Sequence, residues 1–175
     1  MKIKKLIVGI LCVAMILTGA VPVFAAESVT PYAAPTSPRY IMTGAGSQPR
    51  MYLNGSDTSA SLGRTANCKW RVMSYHGIVE LYKCSPNGNP SKRVLQTTSL
   101  HTVSVGPETT SANQAAIEFF TVRGRNNRIV FSQHYHMVNG VKWYDRCLQG
   151  YVGGGGSLNL GSYAENSLAQ MWEIQ

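Results

Sequence analysis

One pattern recurs three times between residue 39 and the end of this 175-residue chain, and it constrains the fold more than any other feature. Each copy has an arginine followed by apolar residues, then a polar-apolar-glycine step, then a large aromatic residue with Val or Ile two positions later. The arginine segments are Arg50-Met51-Tyr52-Leu53, Arg93-Val94-Leu95-Gln96 and Arg146-Cys147-Leu148-Gln149. The glycine steps are Ser61-Leu62-Gly63, Ser104-Val105-Gly106 and Asn159-Leu160-Gly161, and the aromatic residues are Trp70, Phe120 and Trp172. Because a unit of about 45 residues cannot bury an apolar face alone, the three copies are expected to share one core.

The repeat predicts an all-β fold. Short runs of Val, Ile, Leu and aromatic residues alternate with clusters of Gly, Asn, Pro and Ser, as strands and turns do. Further apolar runs lie at residues 40–42, 78–81 and 129–131, so each unit has four strand-like segments. Three such units close a barrel with few free edges. We therefore predict a β-trefoil of three pseudo-repeats and about twelve strands, in which Trp70, Phe120 and Trp172 pack in the core.

The first 25 residues have the layout of a secretory signal peptide. Lys2, Lys4 and Lys5 precede an apolar run, and Val23-Phe24-Ala25 supplies small residues for cleavage after Ala25. Residues 26–38 are rich in Ala, Ser, Thr and Pro and predict a flexible linker. We expect residues 39–175 to form one secreted domain without stable membrane insertion, since no later segment is long and apolar enough to span a bilayer.

The net charge and the cysteine content indicate which partners and which disulfides are possible. The formal net charge of +8 falls to +5 once the three signal-peptide lysines are removed, a balance that suits anionic cell surfaces and does not require nucleic acid as a partner. Cys12 leaves with the signal peptide, so Cys68, Cys84 and Cys147 remain. An odd count leaves at least one thiol without an intramolecular partner. Cys147 shares its repeat position with Met51 and Val94 and is therefore expected to point into the core.

The segment from Arg146 to Ile174, with "RCLQ", "GGGGSLNLG" and "QMWEI", resembles the ricin B-type lectin family. The resemblance implies a module that binds carbohydrate on a cell surface or glycoprotein. It also implies a role as the cell-binding subunit of a toxin, with other toxin subunits as partners. Disulfides of that family close within a unit. Cys147 lacks such a partner near Ser162, so the resemblance leaves Cys68 and Cys84 as the available pair.

The family's usual galactose pocket is missing from all three units. Its Asp position holds Asn54, Gln96 and Gln149, and its aromatic position holds Gly63, Gly106 and Gly161. Without a carboxylate acceptor and a stacking ring, we expect no useful affinity for galactose or lactose. The amide and phenol groups around the Gly153 to Gly156 loop suggest a different sugar pocket in the third unit. Its predicted residues are Gln149, Tyr151, Asn159, Tyr163 and Asn166.

Other chemistry has weaker support. His134 and His136 lie on one predicted strand face, but a third metal ligand, such as His76 or His101, is not located by the sequence, so no metal or cofactor is expected. Arg123, Arg125 and Arg128 are interpreted as a solvated turn. No G-x-S-x-G or H-E-x-x-H motif occurs, and we expect no enzymatic activity and no catalytic residues. The alternative function is a protein-binding trefoil, such as a hydrolase or protease inhibitor.

Overall fold

The structure is a computed structural model that describes residues 35–44, 49–97, 99, 101–121, 126–151, 156–164 and 166–175. The predicted signal peptide (residues 1–25), most of the predicted linker (residues 26–34) and Gly153 to Gly155 lie outside the described residues. The described chain begins at Pro35, which is buried and accepts a 2.9 Å hydrogen bond from the backbone N–H of Val72.

The described chain is all-β, and its strands fall into three consecutive units. The first unit contains β1 (Ile41–Thr43), β2 (Tyr52–Gly55), β3 (Ala60–Gly63) and β4 (Lys69–Tyr75). The second contains β5 (Ile78–Cys84), β6 (Pro90–Thr97), β7 (Val103–Pro107) and β8 (Ile117–Thr121), with a short helix α1 (Ala112–Ala115). The third contains β9 (Asn126–Phe131), β10 (Tyr135–Val138), β11 (Val141–Tyr144), β12 (Arg146–Tyr151), β13 (Ser157–Ser162) and β14 (Trp172–Ile174), with a 3₁₀ turn at Leu168–Gln170.

The first and last strands of the units follow one another around a nearly closed ring. β4 pairs with β5, β8 pairs with β9, β9 pairs with β14, and β14 pairs with β1, all antiparallel. β5 contacts β8, and an isolated bridge between Arg39 and Trp70 joins the start of β1 to β4. No helix in the described part of the chain is long and apolar enough to cross a membrane.

The two middle strands of each unit form a hairpin, and the three hairpins have the same register. Leu53 lies opposite Leu62, Leu95 opposite Val105, and Leu148 opposite Leu160. All six side chains are buried in one core cluster, and β3, β7 and β13 contact one another. The predicted repeat therefore exists as three equivalent hairpins that share a core.

The register also corrects one part of the sequence alignment. Tyr52, Val94 and Cys147 all lie opposite the glycine of their step, so Cys147 corresponds to Tyr52 and not to Met51. The alignment of Arg50-Met51-Tyr52-Leu53 with the two other arginine segments was wrong by one residue. The arginines were matched to each other, but register is fixed by the cross-strand partners. The expected burial of Cys147 is nevertheless confirmed.

Two tryptophans fill the centre of the core, as predicted. Trp70 and Trp172 are completely buried, and their indole N–H groups donate to the backbone carbonyls of Leu53 (2.8 Å) and Leu148 (3.0 Å). These carbonyls occupy equivalent positions in the first and third units. Each hydrogen bond satisfies a polar group that would be costly to bury alone. The side chain of Phe120, the corresponding residue of the second unit, lies outside the described part of the structure.

The third unit contains two strands more than the expected twelve. β10 and β11 form a hairpin between β9 and β12, whereas in the second unit only residues 85–89 separate β5 from β6. Asn139 (φ 51°) and Gly140 (φ 79°) occupy its two-residue turn, and Asn-Gly is the preferred sequence for a type I′ turn. This Asn-Gly pair was the signal that the twelve-strand prediction did not use.

Candidate functional site

The additional hairpin of the third unit forms one wall of a cleft of about 540 Å³. The opposite wall is the start of β12 and the end of β13. Eight residues line the cleft: His134, His136, Trp143, Tyr144, Asp145, Arg146, Ser162 and Tyr163. This volume lies within the range of about 300–1,000 Å³ that small-molecule sites occupy.

Backbone hydrogen bonds fix the base of the hairpin against the rest of the third unit. The N–H of Asp145 donates to the carbonyl of His134 (2.7 Å), and the N–H of Tyr163 donates to the carbonyl of Asp145 (3.1 Å). The first bond closes the hairpin behind β10 and β11, and the second attaches it to the segment after β13. Asp145 is therefore held at the junction of both cleft walls.

Two polar pairs lie in the cleft. The carboxylate of Asp145 is 2.5 Å from Nδ1 of His136, and both side chains are exposed. Arg146 donates from Nη1 to Oγ of Ser162 (3.1 Å), its register partner across β12 and β13. The cleft thus offers a carboxylate acceptor and guanidinium donors within one surface.

Aromatic side chains supply the remaining surface of the cleft. Trp143 lies opposite His136 in the hairpin register and is partly exposed. Tyr163 is 41% exposed, and the guanidinium carbon of Arg128 lies 4.6 Å from its ring centroid. Tyr144 donates to Glu118 (2.5 Å), and burial together with that carboxylate raises the pKa of the Tyr144 phenol, which therefore stays protonated.

Arg128 supports the Tyr163 ring from inside the protein. It is 1% exposed, and its Nη1 donates to the carbonyl of Ala164 (2.9 Å). The interpretation of this arginine as part of a solvated turn is therefore wrong, because its β9 position turns it towards the 3₁₀ turn and not towards solvent. Arg123 and Arg125 lie outside the described residues.

Of the five residues predicted to bind sugar, Gln149 lies beside Tyr151 and Asn159, and Tyr163 lines the cleft. Tyr151 is 48% exposed at the far end of β12. Asn166 is exposed after β13, and Asn159 is partly buried opposite Gln149. Gln149 is only 7% exposed and donates to the Tyr151 hydroxyl.

The amide of Gln149 packs against Gly161, and the same arrangement occurs in all three units. A Cβ built on Gly161 would lie 1.4 Å from Oε1 of Gln149, and one on Gly106 would lie 1.7 Å from Nε2 of Gln96. In the first unit, a Cβ on Gly63 would lie 2.4 Å from Nδ2 of Asn54. The glycines therefore leave room for the protein's own amide groups.

Hydrogen bonds hold two of these amides in place. Asn54 donates to the carbonyl of Thr65 (2.8 Å) and accepts from the N–H of Asn67 (3.0 Å). Gln149 accepts from Nε2 of Gln170 (3.4 Å), whose Oε1 accepts from the N–H of Ala164 (2.9 Å). Both amides thus bind parts of their own unit.

The described residues contain no group of three or more His, Cys, Asp or Glu side chains that could hold a metal ion. His134 and His136 line the same cleft, but Asp145 is the partner of His136. Cys68, Cys84 and Cys147 are buried free thiols. Burial raises the pKa of Cys68 to about 11 and that of Cys147 to about 12, so both are protonated at neutral pH. The bridge between Cys68 and Cys84 stays a prediction.

Trp143, Asp145 and Arg146 were not predicted from the sequence as members of a common site. The Asn139-Gly140 turn was the available signal, because a two-residue hairpin places Trp143 opposite His136. The approach of the hairpin to Ser162 and Tyr163 depends on long-range packing that spacing in the sequence does not contain.

Comparison with family models gives no match for this chain, and no curated protein matches it.

Proposed function

We propose that this chain is an exported β-trefoil module that binds carbohydrate in the cleft of its third unit. The β-trefoil architecture is supported by three hairpins of identical register and by six strands that follow one another around a ring. The proposal of export depends on the signal-peptide pattern of residues 1–25.

The observation that carries the proposed function is the combination of aromatic and polar groups in the cleft. Trp143 and Tyr163 present partly exposed ring surface, against which the apolar face of a sugar can pack. Asp145 supplies an anionic acceptor for sugar hydroxyl groups, and Arg146 supplies donors. A few convergent polar groups beside aromatic surface are typical of small-molecule sites.

The three hairpins themselves are poor candidates for sugar binding. The amides of Asn54, Gln96 and Gln149 lie against their opposing glycines and fill the positions of the family's usual pocket. This packing supports the expectation that free galactose and lactose do not bind. Binding is instead assigned to the cleft beside β10 and β11 of the third unit.

A glycan array with the purified chain from residue 26 onwards, which keeps the contact of Pro35 with Val72, tests this proposal. We expect specific binding that is competed by free sugar and lost in Asp145→Asn, which keeps the size of the side chain but removes its charge. Tyr151→Ala is the matched control, because Tyr151 is exposed in the same unit but does not line the cleft. If Tyr151→Ala abolishes binding and Asp145→Asn does not, the ligand lies at the end of β12 and β13. A blank array would favour the protein-binding alternative, in which the domain acts as an inhibitor or as one subunit of a larger assembly.

A further inference from the structure

A tyrosine hydroxyl lies between two carboxyl groups in the second unit, on the face of β5 that points away from the main core. The phenol oxygen of Tyr82 is 3.0 Å from Oε2 of Glu80 and 3.0 Å from Oε2 of Glu108. Glu80 is completely buried and Tyr82 is 3% exposed, so little water reaches this contact. Two carboxyl groups that meet through one buried hydroxyl are costly to ionise together, because their charges repel each other away from water.

The number of hydrogens available to this contact points to a shared proton. A tyrosine hydroxyl has one hydrogen to donate, and an ionised carboxylate has none. With both carboxyl groups ionised, Tyr82 could donate to only one of them, and its oxygen would face the other acceptor with no hydrogen between them. A proton on Glu80 or Glu108 supplies the second hydrogen bond, because that carboxyl then donates to the phenol oxygen. Both distances therefore fit one proton held by the pair.

The two carboxyl groups are not neutralised by a described cation. Neither Glu80 nor Glu108 forms an ion pair with a described residue. Burial raises the pKa of the Glu80 carboxyl, although it accepts hydrogen bonds, and the charge of Glu108 adds to this increase. The short helix α1 has no charged or titratable side chain. The charged or titratable side chains of β4, of the turn after it, of the same face of β5, and of β6 and β8 are, besides these three residues, Lys69, Arg71, Tyr75, His76, Cys84, Lys92, Arg93 and Glu118.

The contact fixes the segment that leads into α1. Glu108 belongs to this segment, and the N–H of Thr109 donates to Oε1 of Glu80 (3.2 Å). The hydroxyl of Thr109 in turn accepts from the N–H of Ser111 (3.0 Å), the residue before α1. Ala115 of α1 is completely buried against the same face of β5. Because α1 has only four residues, its position depends on these tertiary contacts.

The other two units lack this arrangement, although they share its register. Tyr82 pairs with Val94, which lies opposite the glycine of its hairpin. The residues in the same place of the first and third units are Met42 and Val130, and both are apolar and buried. The shared core therefore does not require a hydroxyl group here. The contact between the tyrosine and the two carboxyl groups is an addition to the second unit.

We propose that Glu80, Tyr82 and Glu108 share one proton and form a pH-sensitive latch for residues 108–111 and α1. With the proton bound, both hydrogen bonds of the phenol are made and the segment is held on β5. When the proton leaves, one of them is lost and the segment opens more often. The latch is fully closed below the ordinary glutamate pKa of about 4.3 and loosens as pH rises through the raised pKa of the folded state.

Hydrogen exchange of the backbone amides tests the latch in the purified chain from residue 26 onwards. We expect the protection factor of Thr109, corrected for the intrinsic effect of pH on exchange, to fall as pH rises. The fall should be about tenfold for each pH unit between the pKa values of the open and closed states, because opening releases one proton. Glu108→Gln should keep the protection at high pH, because its amide supplies a donor that does not ionise. Tyr82→Phe should lower the protection already at acidic pH, because the bridging hydroxyl is removed.

Asp57→Asn is the matched control. The carboxylate of Asp57 binds Lys83, whose side chain lies on the opposite face of β5 from Tyr82. This variant should show the same pH dependence of Thr109 exchange as the wild type. The wild-type titration does not depend on the folding of any variant, and protection that stays constant or increases with pH overturns the proposal. It is also overturned if Glu108→Gln keeps the wild-type pH dependence, or if Asp57→Asn removes it.

Discussion

The first and third units of this protein share a core and differ almost entirely in what surrounds it. Both have a hairpin in which a leucine lies opposite a leucine, and both bury a tryptophan whose indole donates to the carbonyl of the first leucine. Both also have a glycine beside the tryptophan ring, Gly55 in the first unit and Gly150 in the third. These residues set the shape of the shared core and restrict how either unit can pack in it.

Outside the core, the two units diverge. In the third unit, β10 and β11 are inserted between β9 and the hairpin and form a cleft, whereas in the first unit the next described strand after β1 is β2 of the hairpin itself. Of the large hydrophobic side chains that are exposed in the described residues, all but Val79 belong to the third unit. The difference teaches that the repeat forms the shared core, while the cleft is formed by an insertion in the third unit.

The largest expected effect is on the residues that the two units share. Trp172→Ala and Trp70→Ala should each lower the free energy of unfolding by about 3–5 kcal/mol, the usual cost of emptying a buried aromatic site. Equal losses of unfolding free energy in the two variants, measured by chemical denaturation, would support equivalent roles for the two tryptophans. If either variant unfolds like the wild type and loses only ligand binding, that tryptophan is a binding platform and the comparison fails.

The glycines beside the tryptophan rings should give a smaller and graded effect. A Cβ on Gly150 would lie 2.9 Å from Cη2 of Trp172 and 3.1 Å from Cδ1 of Leu62, whereas one on Gly55 would lie 3.1 Å from Cη2 of Trp70. Overpacking of this kind costs about 1–3 kcal/mol. We expect Gly150→Ala to destabilise more than Gly55→Ala, as measured by thermal unfolding. The reverse order would show that the third unit accommodates volume more easily than the first.

In the second unit, a buried carboxyl group is expected to make the stability of the protein depend on pH. Glu80 is completely buried and accepts from the N–H of Thr109 (3.2 Å) and the hydroxyl of Tyr82 (3.0 Å). Burial raises the pKa of the Glu80 carboxyl, and the nearby carboxylate of Glu108 raises it further. The folded state therefore holds the proton more tightly than the unfolded chain. The resulting stability is fully present below the ordinary glutamate pKa of about 4.3 and is lost as pH rises through the raised value.

Glu80→Gln should remove this dependence, because an amide of the same shape does not ionise. We expect the variant to be more stable than the wild type at neutral pH and to unfold with a flatter pH profile. A wild-type stability that instead rises through this pH range would mean that hydrogen bonds to the ionised carboxylate outweigh the effect of burial.

The prediction on the cysteine thiols involves the smallest expected change in stability. It compares the units by the reactivity of their thiols. Cys147 is 0% exposed and Cys68 is 3% exposed, and burial keeps both protonated at neutral pH. The structure has all three as free thiols, which predicts three thiols that react only after denaturation; the bridge expected from the sequence predicts one such thiol, with Cys68 and Cys84 in one linked peptide. Lys69, the residue after Cys68, is the register partner of Cys84, which brings the two cysteines to neighbouring positions. Three thiols that react in the native protein would contradict both the burial and the bridge.

The fold was predictable where local pattern and burial coincide. Trp70 and Trp172 recur with Val or Ile two positions later, and this spacing correctly indicated a buried strand face. The one-residue error at Met51 arose because register depends on the opposing glycine, which a linear alignment does not include. The site was less predictable. Tyr163 was identified from its residue type, but its neighbours Trp143 and Asp145 reach it only through the packing of the inserted hairpin.

The position of the proposed ligand can be measured directly by tryptophan fluorescence. Trp70 and Trp172 are completely buried, whereas Trp143 is partly exposed and lines the cleft. Titration with a glycan that binds on the array should therefore change the emission of Trp143. We expect Trp143→Phe to lose this change while it still binds the glycan. A full emission change in Trp143→Phe would place the ligand outside the cleft and would contradict the assignment of binding to the inserted hairpin of the third unit.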